Sequence, residues 1–90
     1  MRVYQIEYLP EVLHDVLRLG IRDQQAIKAK IEWLSVYSDE IPHQRLEGKR
    51  FKHKFKLRVG DYRVVYSVDR KRAVIVIELV GHRSTIYREK

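Results

Sequence analysis

The chain has 90 residues, of which 44% are hydrophobic, and this is enough for one small domain with a single modest core. It contains no cysteine, which excludes disulfide bonds and cysteine-based zinc sites and is consistent with a reducing compartment. Its longest apolar run is too short to span a bilayer, and the N-terminal residues lack the apolar core of a signal peptide. We therefore expect one domain over residues 1–90, no membrane partner and a cytoplasmic location.

The net charge of +7 is unevenly distributed along the chain. Residues 1–40 carry five basic and seven acidic side chains, a net charge of −2. Residues 41–90 carry fourteen basic and five acidic side chains, a net charge of +9. A cationic field confined to one half of a domain predicts a nucleic acid, an acidic protein, or both, as partner.

The first forty residues predict a strand followed by two helices. Arg2–Tyr8 alternates between apolar and polar residues, as a half-buried strand does. Pro10 suits the first turn of a helix and Gly20 its end, and Asp23 is expected to cap a second helix that runs to about Tyr37. The apolar stripe of this second helix consists of Ile27, Ile31 and Leu34.

The remaining residues predict three strands. The first covers roughly Lys52–Val59, and Gly60-Asp61 forms a tight turn into the second, Tyr62–Val68. The third, Ala73–Val80, is apolar on both faces except for Glu78 and is expected to be central. The order β-α-α-β-β-β predicts an α+β fold in which two helices pack on one face of a mainly antiparallel sheet.

The first of these strands is strongly basic. It reads F-K-H-K-F-K-L-R from Phe51, so its cations fall at every second position and share one face of a strand. The cationic face consists of Lys52, Lys54, Lys56 and Arg58, and the opposite face of Phe51, His53, Phe55 and Leu57. Four like charges on one face repel each other mildly, so their arrangement favours binding of a polyanion, most simply a phosphodiester backbone.

Further polar residues are expected to join this cationic face. A hairpin turned at Gly60-Asp61 pairs Arg63 near the Arg58 end of the basic strand. The segment that follows the third strand, G-H-R-S-T-I-Y, can bring His82, Arg83 and Tyr87 to the same rim.

These motifs resemble the RelE/ParE toxin superfamily of type II toxin–antitoxin systems, and in particular its RelE-like branch. The resembling segments are L-E-G-K (46–49), F-K-H-K-F-K-L-R-V-G-D-Y-R-V-V-Y (51–66) and G-H-R-S-T-I-Y (81–87). The resemblance implies a RelE-like fold and a ribosome-dependent endoribonuclease that cleaves mRNA in the A site. It also implies a reaction without metal or cofactor, in which a ribose 2′-hydroxyl attacks the adjacent phosphate.

The resemblance assigns roles to individual residues. Lys54 matches the family position near the 2′-hydroxyl, where neighbouring cations would make it a usable base. Lys56 and Arg63 match positions that stabilise the phosphorane. Arg83 matches the position near the leaving group, and Tyr87 matches a late tyrosine that stacks on a base. His82 stands where the best-known RelE pattern has lysine, and a histidine side chain can serve as an acid or a base. Further contacts to RNA are expected from Lys49, Arg50, Lys52 and Arg58.

Other functions remain open from the sequence. The alternative activity is that of a ParE-like toxin that acts on DNA gyrase by protein binding, without RNA cleavage. The resemblance also implies a cognate antitoxin, ribosome and mRNA as partners, and a hetero-oligomeric complex that binds operator DNA through the antitoxin. Trp33 and Tyr37 are interpreted as packing residues or as part of an antitoxin groove, and the cationic face as an antitoxin-binding surface as well.

Overall fold

The computed structural model describes residues 2–88 and confirms the predicted α+β fold. The first half consists of β1 (Gln5–Tyr8), α1 (Pro10–Leu17) and α2 (Ile21–Tyr37). The second half consists of β2 (Gln44–Arg45), a short 3-10 helix (Lys49–Phe51), β3 (Phe55–Val59), β4 (Tyr62–Asp69) and β5 (Val74–His82). Neither helix among the described residues has the length and apolar character needed to cross a membrane.

The five strands form one sheet in the order β1-β5-β4-β3-β2. β1 pairs with β5 in parallel, and the other three pairings are antiparallel. β5 therefore lies inside the sheet, as its apolar sequence predicted, and β1 lies at an edge. The short β2, which the sequence did not indicate, covers only the first two residues of β3 at the other edge.

The core lies between the two helices and one face of the sheet. α2 buries its predicted stripe of Ile27, Ile31 and Leu34, each no more than 1% exposed. The facing strands contribute Val64, Tyr66, Ile75 and Ile77. Each such side chain stabilises the fold by about 1.5–3 kcal/mol through removal from water.

The start of α2 differs from the sequence prediction. Gly20 occupies the N-cap and makes no side-chain capping bond, and the helix begins at Ile21. The prediction that Asp23 caps this helix was therefore wrong. Asp23 lies in the first turn, where its carboxylate still interacts favourably with the positive end of the helix dipole.

The basic strand is shorter than predicted. β3 begins at Phe55 rather than Lys52, because the 3-10 helix and a turn occupy the preceding residues. His53 adopts a left-handed backbone with φ of 65° and is exposed, so its placement on an apolar strand face was wrong. The turn at Gly60-Asp61 is confirmed, and Gly60 supplies the positive φ (57°) that a two-residue hairpin loop needs.

A β-bulge interrupts the pairing of β4 with β5. Val65 pairs with Leu79 and the next residue, Tyr66, pairs with Ile77, so Glu78 is an extra residue on β5. Ile77 and Val80 both face the core although they are three residues apart. Glu78 follows the core-facing Ile77 and lies on the face of the sheet opposite the helices, and the bulge after it returns Val80 to the core.

A hydrogen-bonded group anchors the segment between α2 and β2. The hydroxyl of Tyr66 lies 2.7 Å from Nδ1 of His43, and Nε2 of His43 lies 2.9 Å from the carbonyl oxygen of Ser38. In the arrangement that satisfies both contacts, Nε2–H donates to Ser38 and Tyr66 donates to Nδ1. Burial raises the pKa of Tyr66 to about 12.

Candidate nucleic-acid interface

An open cleft of about 530 Å³ lies on the side of β3 and β4 that faces away from the helices. Its lining consists of Lys56, Arg58, Arg63, His82, Arg83, Ser84 and Tyr87. Lys56, Arg58 and Arg63 alternate with core-facing neighbours, which directs their side chains to this face. Four cations and no carboxylate line the cleft, so it is suited to an anion.

Arg58 and Arg63 are direct partners across the β3–β4 hairpin. Like charges directly opposite each other destabilise a sheet, and a bound anion would relieve that repulsion. Nη1 of Arg63 donates to the carbonyl oxygens of Gly60 and Tyr62, 2.8 Å from each. These two bonds hold the Arg63 guanidinium over the hairpin turn.

The segment after β5 is fixed to the same turn. The backbone N–H of Arg83 donates to the carbonyl oxygen of Asp61 at 2.8 Å, and Arg83 Nε lies 3.5 Å from Oδ1 of the same residue. Ile86, 8% exposed, packs on Gly81, where an added Cβ would lie 3.4 Å from the Ile86 side chain. The apolar contact of Ile86 thus positions the residues on either side of it, Arg83 and Tyr87.

His82 begins the turn that carries these residues. Its carbonyl oxygen accepts from the backbone N–H groups of Thr85 and Ile86, both at 3.0 Å. Its Nδ1 accepts from the backbone N–H of Ser84 at 3.2 Å and lies 2.7 Å from the Ser84 hydroxyl. The imidazole ring packs edge-on against Tyr62, with the ring centroids 5.7 Å apart.

Tyr87 closes the cleft. Its ring meets Phe51 edge-on at a centroid distance of 5.8 Å, and its hydroxyl is buried without a hydrogen-bond partner among residues 2–88. Burial raises the pKa of Tyr87, and the nearby charges of Arg63 and Arg58 partly oppose this shift. The unpaired hydroxyl therefore lies in a buried position within range of the charges of two guanidinium groups.

Lys54 lies outside the lining of this cleft. Its Nζ is 2.5 Å and 2.7 Å from the two carboxylate oxygens of Glu78, the extra residue in the β-bulge of β5. The sequence predicts cations around Lys54, whereas the structure places a carboxylate there. The ion pair with Glu78 supports an electrostatic role for Lys54 in the free protein.

The other expected RNA contacts precede β3. Lys49, Arg50 and Lys52 are exposed, and the Arg50 guanidinium lies 4.9 Å from the centre of the Phe51 ring. Because Phe51 contacts Tyr87, this exposed basic segment borders the cleft without lining it.

Of the predicted site residues, the structure therefore brings six together in one cleft: Lys56, Arg58, Arg63, His82, Arg83 and Tyr87. Sequence reasoning missed three residues that contact predicted site residues: Asp61 contacts Arg83, Glu78 contacts Lys54, and Ser84 contacts His82. No sequence signal identified them, since each acts through a contact that only the folded chain creates. Within residues 2–88, no three His, Cys, Asp or Glu side chains are arranged to hold a metal ion.

A second groove lies along the edge of β3 beyond β2. Ile41 and Leu57 contribute apolar surface to it, and it shares Lys56 and Arg58 with the cleft. Trp33, 36% exposed, also lines it. The Trp33 ring lies 5.8 Å from that of Tyr37 and 4.0 Å below Nζ of Lys30. The two aromatic side chains therefore pack against each other and remain partly open to a partner.

Comparisons with known proteins agree with this fold. The family model described as the ParE toxin of type II toxin–antitoxin system, parDE, matches residues 4–87. No curated protein sequence matches the chain.

Several solved structures share the fold. The RelBE2 toxin–antitoxin complex of Mycobacterium tuberculosis contains a chain that is 25% identical, with a TM-score of 0.79 over 93% of this chain and 95% of that one. The archaeal RelE–RelB complex of Pyrococcus horikoshii OT3 contains one that is also 25% identical, with a TM-score of 0.72 over 92% of this chain and 98% of that one. The isolated RelE toxin of E. coli, at 22% identity, has a TM-score of 0.73 over 97% of this chain and 88% of its own.

Proposed function

The chain belongs to the ParE toxin family and is the toxin of a type II toxin–antitoxin system, and we propose that it acts by cleaving mRNA in the ribosomal A site. The reaction is attack of a ribose 2′-hydroxyl on the adjacent phosphate. It leaves a 2′,3′-cyclic phosphate on one fragment and a free 5′-hydroxyl on the other. The observation that supports this activity best is the single cleft that Lys56, Arg58, Arg63, His82, Arg83 and Tyr87 line together.

The cations of the cleft stabilise the charge that develops on the phosphate. The pentavalent phosphorane carries more negative charge than the starting diester, so donors placed around it lower the barrier. Arg63 is held over the hairpin turn by two carbonyl oxygens and needs little reorganisation to face a phosphate. Lys56 and Arg58 approach from the neighbouring strand, and Arg58 also relieves its repulsion with Arg63 when the phosphate binds.

The proton of the attacking 2′-hydroxyl needs an acceptor. Lys54 keeps its proposed place near the 2′-oxygen, but in the free protein its ammonium group donates to Glu78. We therefore extend the proposal to the pair: Glu78 is the proton acceptor available beside Lys54, and Lys54 contributes positive charge.

The departing 5′-oxygen develops negative charge on the other side of the phosphate. Arg83, tethered to the hairpin turn through Asp61, stabilises this oxygen by hydrogen bonding, because a guanidinium is too weak an acid to give up its proton. Tyr87 stacks on a base, and Lys49, Arg50 and Lys52 contact phosphates next to the cleft.

The proposed partners follow from the same surface. Several of the similar structures are complexes of a RelE toxin with a RelB antitoxin. For this chain we propose a cognate antitoxin whose acidic residues cover the cleft and whose apolar residues occupy the groove at Trp33. Its complex is hetero-oligomeric and binds operator DNA through the antitoxin, and the free toxin acts on cytoplasmic ribosomes.

The proposal is tested with purified toxin added to programmed ribosomes, followed by mapping of the mRNA ends. We expect cleavage in A-site codons, and Arg83→Ala should lower the rate about 100- to 1,000-fold, the usual loss for one group that stabilises a transition state. Arg18→Ala, which removes an exposed arginine at the end of α1, is the matched control and should cleave normally. Intact mRNA with the wild-type toxin, at ribosome concentrations that saturate binding, would contradict the proposal.

The second candidate is inhibition of DNA gyrase by protein binding. The observation in its favour is that the matching family model carries the ParE name. Gyrase inhibition would leave mRNA intact and produce double-strand DNA breaks in cells that express the toxin. It would also be insensitive to Arg83→Ala unless that arginine contacts gyrase, so the same variants separate the two activities.

A further inference from the structure

We propose that Ser84 is a positioning residue that holds neutral His82 in the tautomer with its proton on Nε2. His82 then presents an N–H donor to the cleft and is not the base of the reaction. The inference rests on the proposed function for its role in catalysis, but the tautomer itself can be measured without any substrate.

The first observation is that His82 caps the turn that follows β5. Its Nδ1 accepts from the backbone N–H of Ser84, two residues ahead, as the side chain of an N-cap residue does. The carbonyl oxygen of His82 accepts from Thr85 and Ile86 and completes the turn. The imidazole is therefore part of the framework that carries Arg83 and Tyr87.

The second observation concerns the proton on the ring. A backbone N–H can only donate, so the Nδ1 atom 3.2 Å away makes a hydrogen bond only if it carries a lone pair. The Ser84 hydroxyl, 2.7 Å from the same atom, can rotate and donate to it as well. A proton on Nδ1 would point toward the Ser84 N–H and lose that bond. The neutral ring consequently carries its proton on Nε2.

The third observation is the location of the ring. His82 is exposed and lines the cleft, and Tyr62 packs against the ring edge-on. Nε2 has no hydrogen-bond partner among residues 2–88, so its N–H is available to a ligand. A fixed N–H beside Arg83 can donate to a phosphate oxygen or to the departing 5′-oxygen, and no proton transfer from the 2′-hydroxyl to His82 is needed.

The tautomer is tested by ¹⁵N NMR of the imidazole nitrogens in uniformly labelled toxin, at a pH where the ¹⁵N shifts show neutral imidazole, with His82→Gln used for assignment. We expect the wild type to show a protonated Nε2 and a bare Nδ1. Ser84→Ala, which removes the hydroxyl but keeps the backbone N–H, should give a measurable population of the other tautomer, and Ser84→Thr should restore the wild-type signals. A proton on Nδ1 in the wild type, or identical tautomer populations in Ser84→Ala, would overturn the inference.

The donor role is tested by a pair of isosteric variants in the ribosome assay. Asparagine and aspartate both cap turns well, so His82→Asn and His82→Asp should keep the segment folded, which amide exchange of Ser84 can verify. Only asparagine also offers an N–H to the cleft. We expect His82→Asn to cleave within about 10-fold of the wild-type rate and His82→Asp to lose more than about 100-fold, a loss typical of one removed transition-state donor. Equal activity of the two variants would refute the donor role, whereas a wild type without cleavage would refute the proposed function and leave the NMR result standing.

Discussion

The contact between Tyr66 and His43 gives a stability prediction that can be worked out quantitatively. Tyr66→Phe removes the hydroxyl that lies 2.7 Å from Nδ1 of His43 and leaves this nitrogen without a donor. Loss of one partner of a buried hydrogen bond costs about 1–3 kcal/mol of unfolding free energy. For a domain of this size each kcal/mol lowers the melting temperature by about 4–8 °C.

The same hydroxyl makes the stability depend on alkaline pH. Burial raises the pKa of Tyr66 to about 12 in the folded protein, whereas a tyrosine in an unfolded chain has a pKa of about 10. The protonated phenol is therefore favoured by folding, so its contribution is complete below pH 10 and is lost as the pH rises through 12. At pH 11 about 1.4 kcal/mol of it is lost, since each pKa unit corresponds to about that free energy.

The measurement is urea unfolding of wild type and Tyr66→Phe at pH 8, 9, 10 and 11, followed by circular dichroism. The advantage of the wild type should be about 1–3 kcal/mol at pH 8 and should shrink by about 1.4 kcal/mol at pH 11. Tyr37→Phe, whose ring is 42% exposed on α2, serves as control and should change the stability by less than about 0.5 kcal/mol at pH 8. A gap between wild type and Tyr66→Phe that stays constant from pH 8 to 11 would refute the reasoning.

Three further predictions concern the cleft. Ile86→Ala should lower the free energy of unfolding, measured with urea, by about 2–4 kcal/mol. It should also slow RNA cleavage, because Ile86 packs the turn after β5 against Gly81, and an unaltered cleavage rate would contradict this role. Asp61→Asn should change the free energy of unfolding by less than about 0.5 kcal/mol, since the ion pair of Asp61 with Arg83 is exposed. The same change frees the Arg83 guanidinium and should tighten binding of single-stranded RNA, measured by fluorescence anisotropy. Weaker binding would contradict this prediction. Lys56→Gln should lower the slope of log K against log salt for the same RNA by about 0.7, and an unchanged slope would exclude a phosphate contact at this position.

The sequence predicted those features that depend on neighbouring residues in one segment. The helical stripe of α2 and the hairpin at Gly60-Asp61 follow from periodicity and turn chemistry, and both are confirmed. The hairpin register in turn placed Arg63 opposite Arg58, which is how the cationic face of the cleft could be anticipated.

The features that the sequence did not predict depend on contacts between distant segments. Alternation from Phe51 to Arg58 predicted a start of β3 near Lys52, but the 3-10 helix and the turn after it occupy the residues before Phe55. The contacts of Lys54 and Arg83 could not be predicted either, since each joins segments that are far apart in the sequence. Glu78 of β5 contacts Lys54, and Asp61 of the hairpin turn contacts Arg83. Glu78 is the charged residue within the apolar run of β5, but its charge alone does not reveal a bulge or a contact with Lys54.

The bulge at Glu78 also determines how this protein should be compared with its relatives. Side chains of β5 alternate between the core and the opposite face on both sides of Glu78, but the alternation is continuous only when Glu78 is left out of the count. A relative with an uninterrupted β5 therefore has one residue fewer, and its numbering is shifted by one position from Leu79 onward. Deletion of Glu78 would give an uninterrupted strand in which Ile77 and Val80 still face the core, but it would remove the carboxylate that binds Lys54. An alignment of relatives therefore has to place its gap at this position before histidine, arginine and tyrosine at the C-terminal end of the fold can be matched.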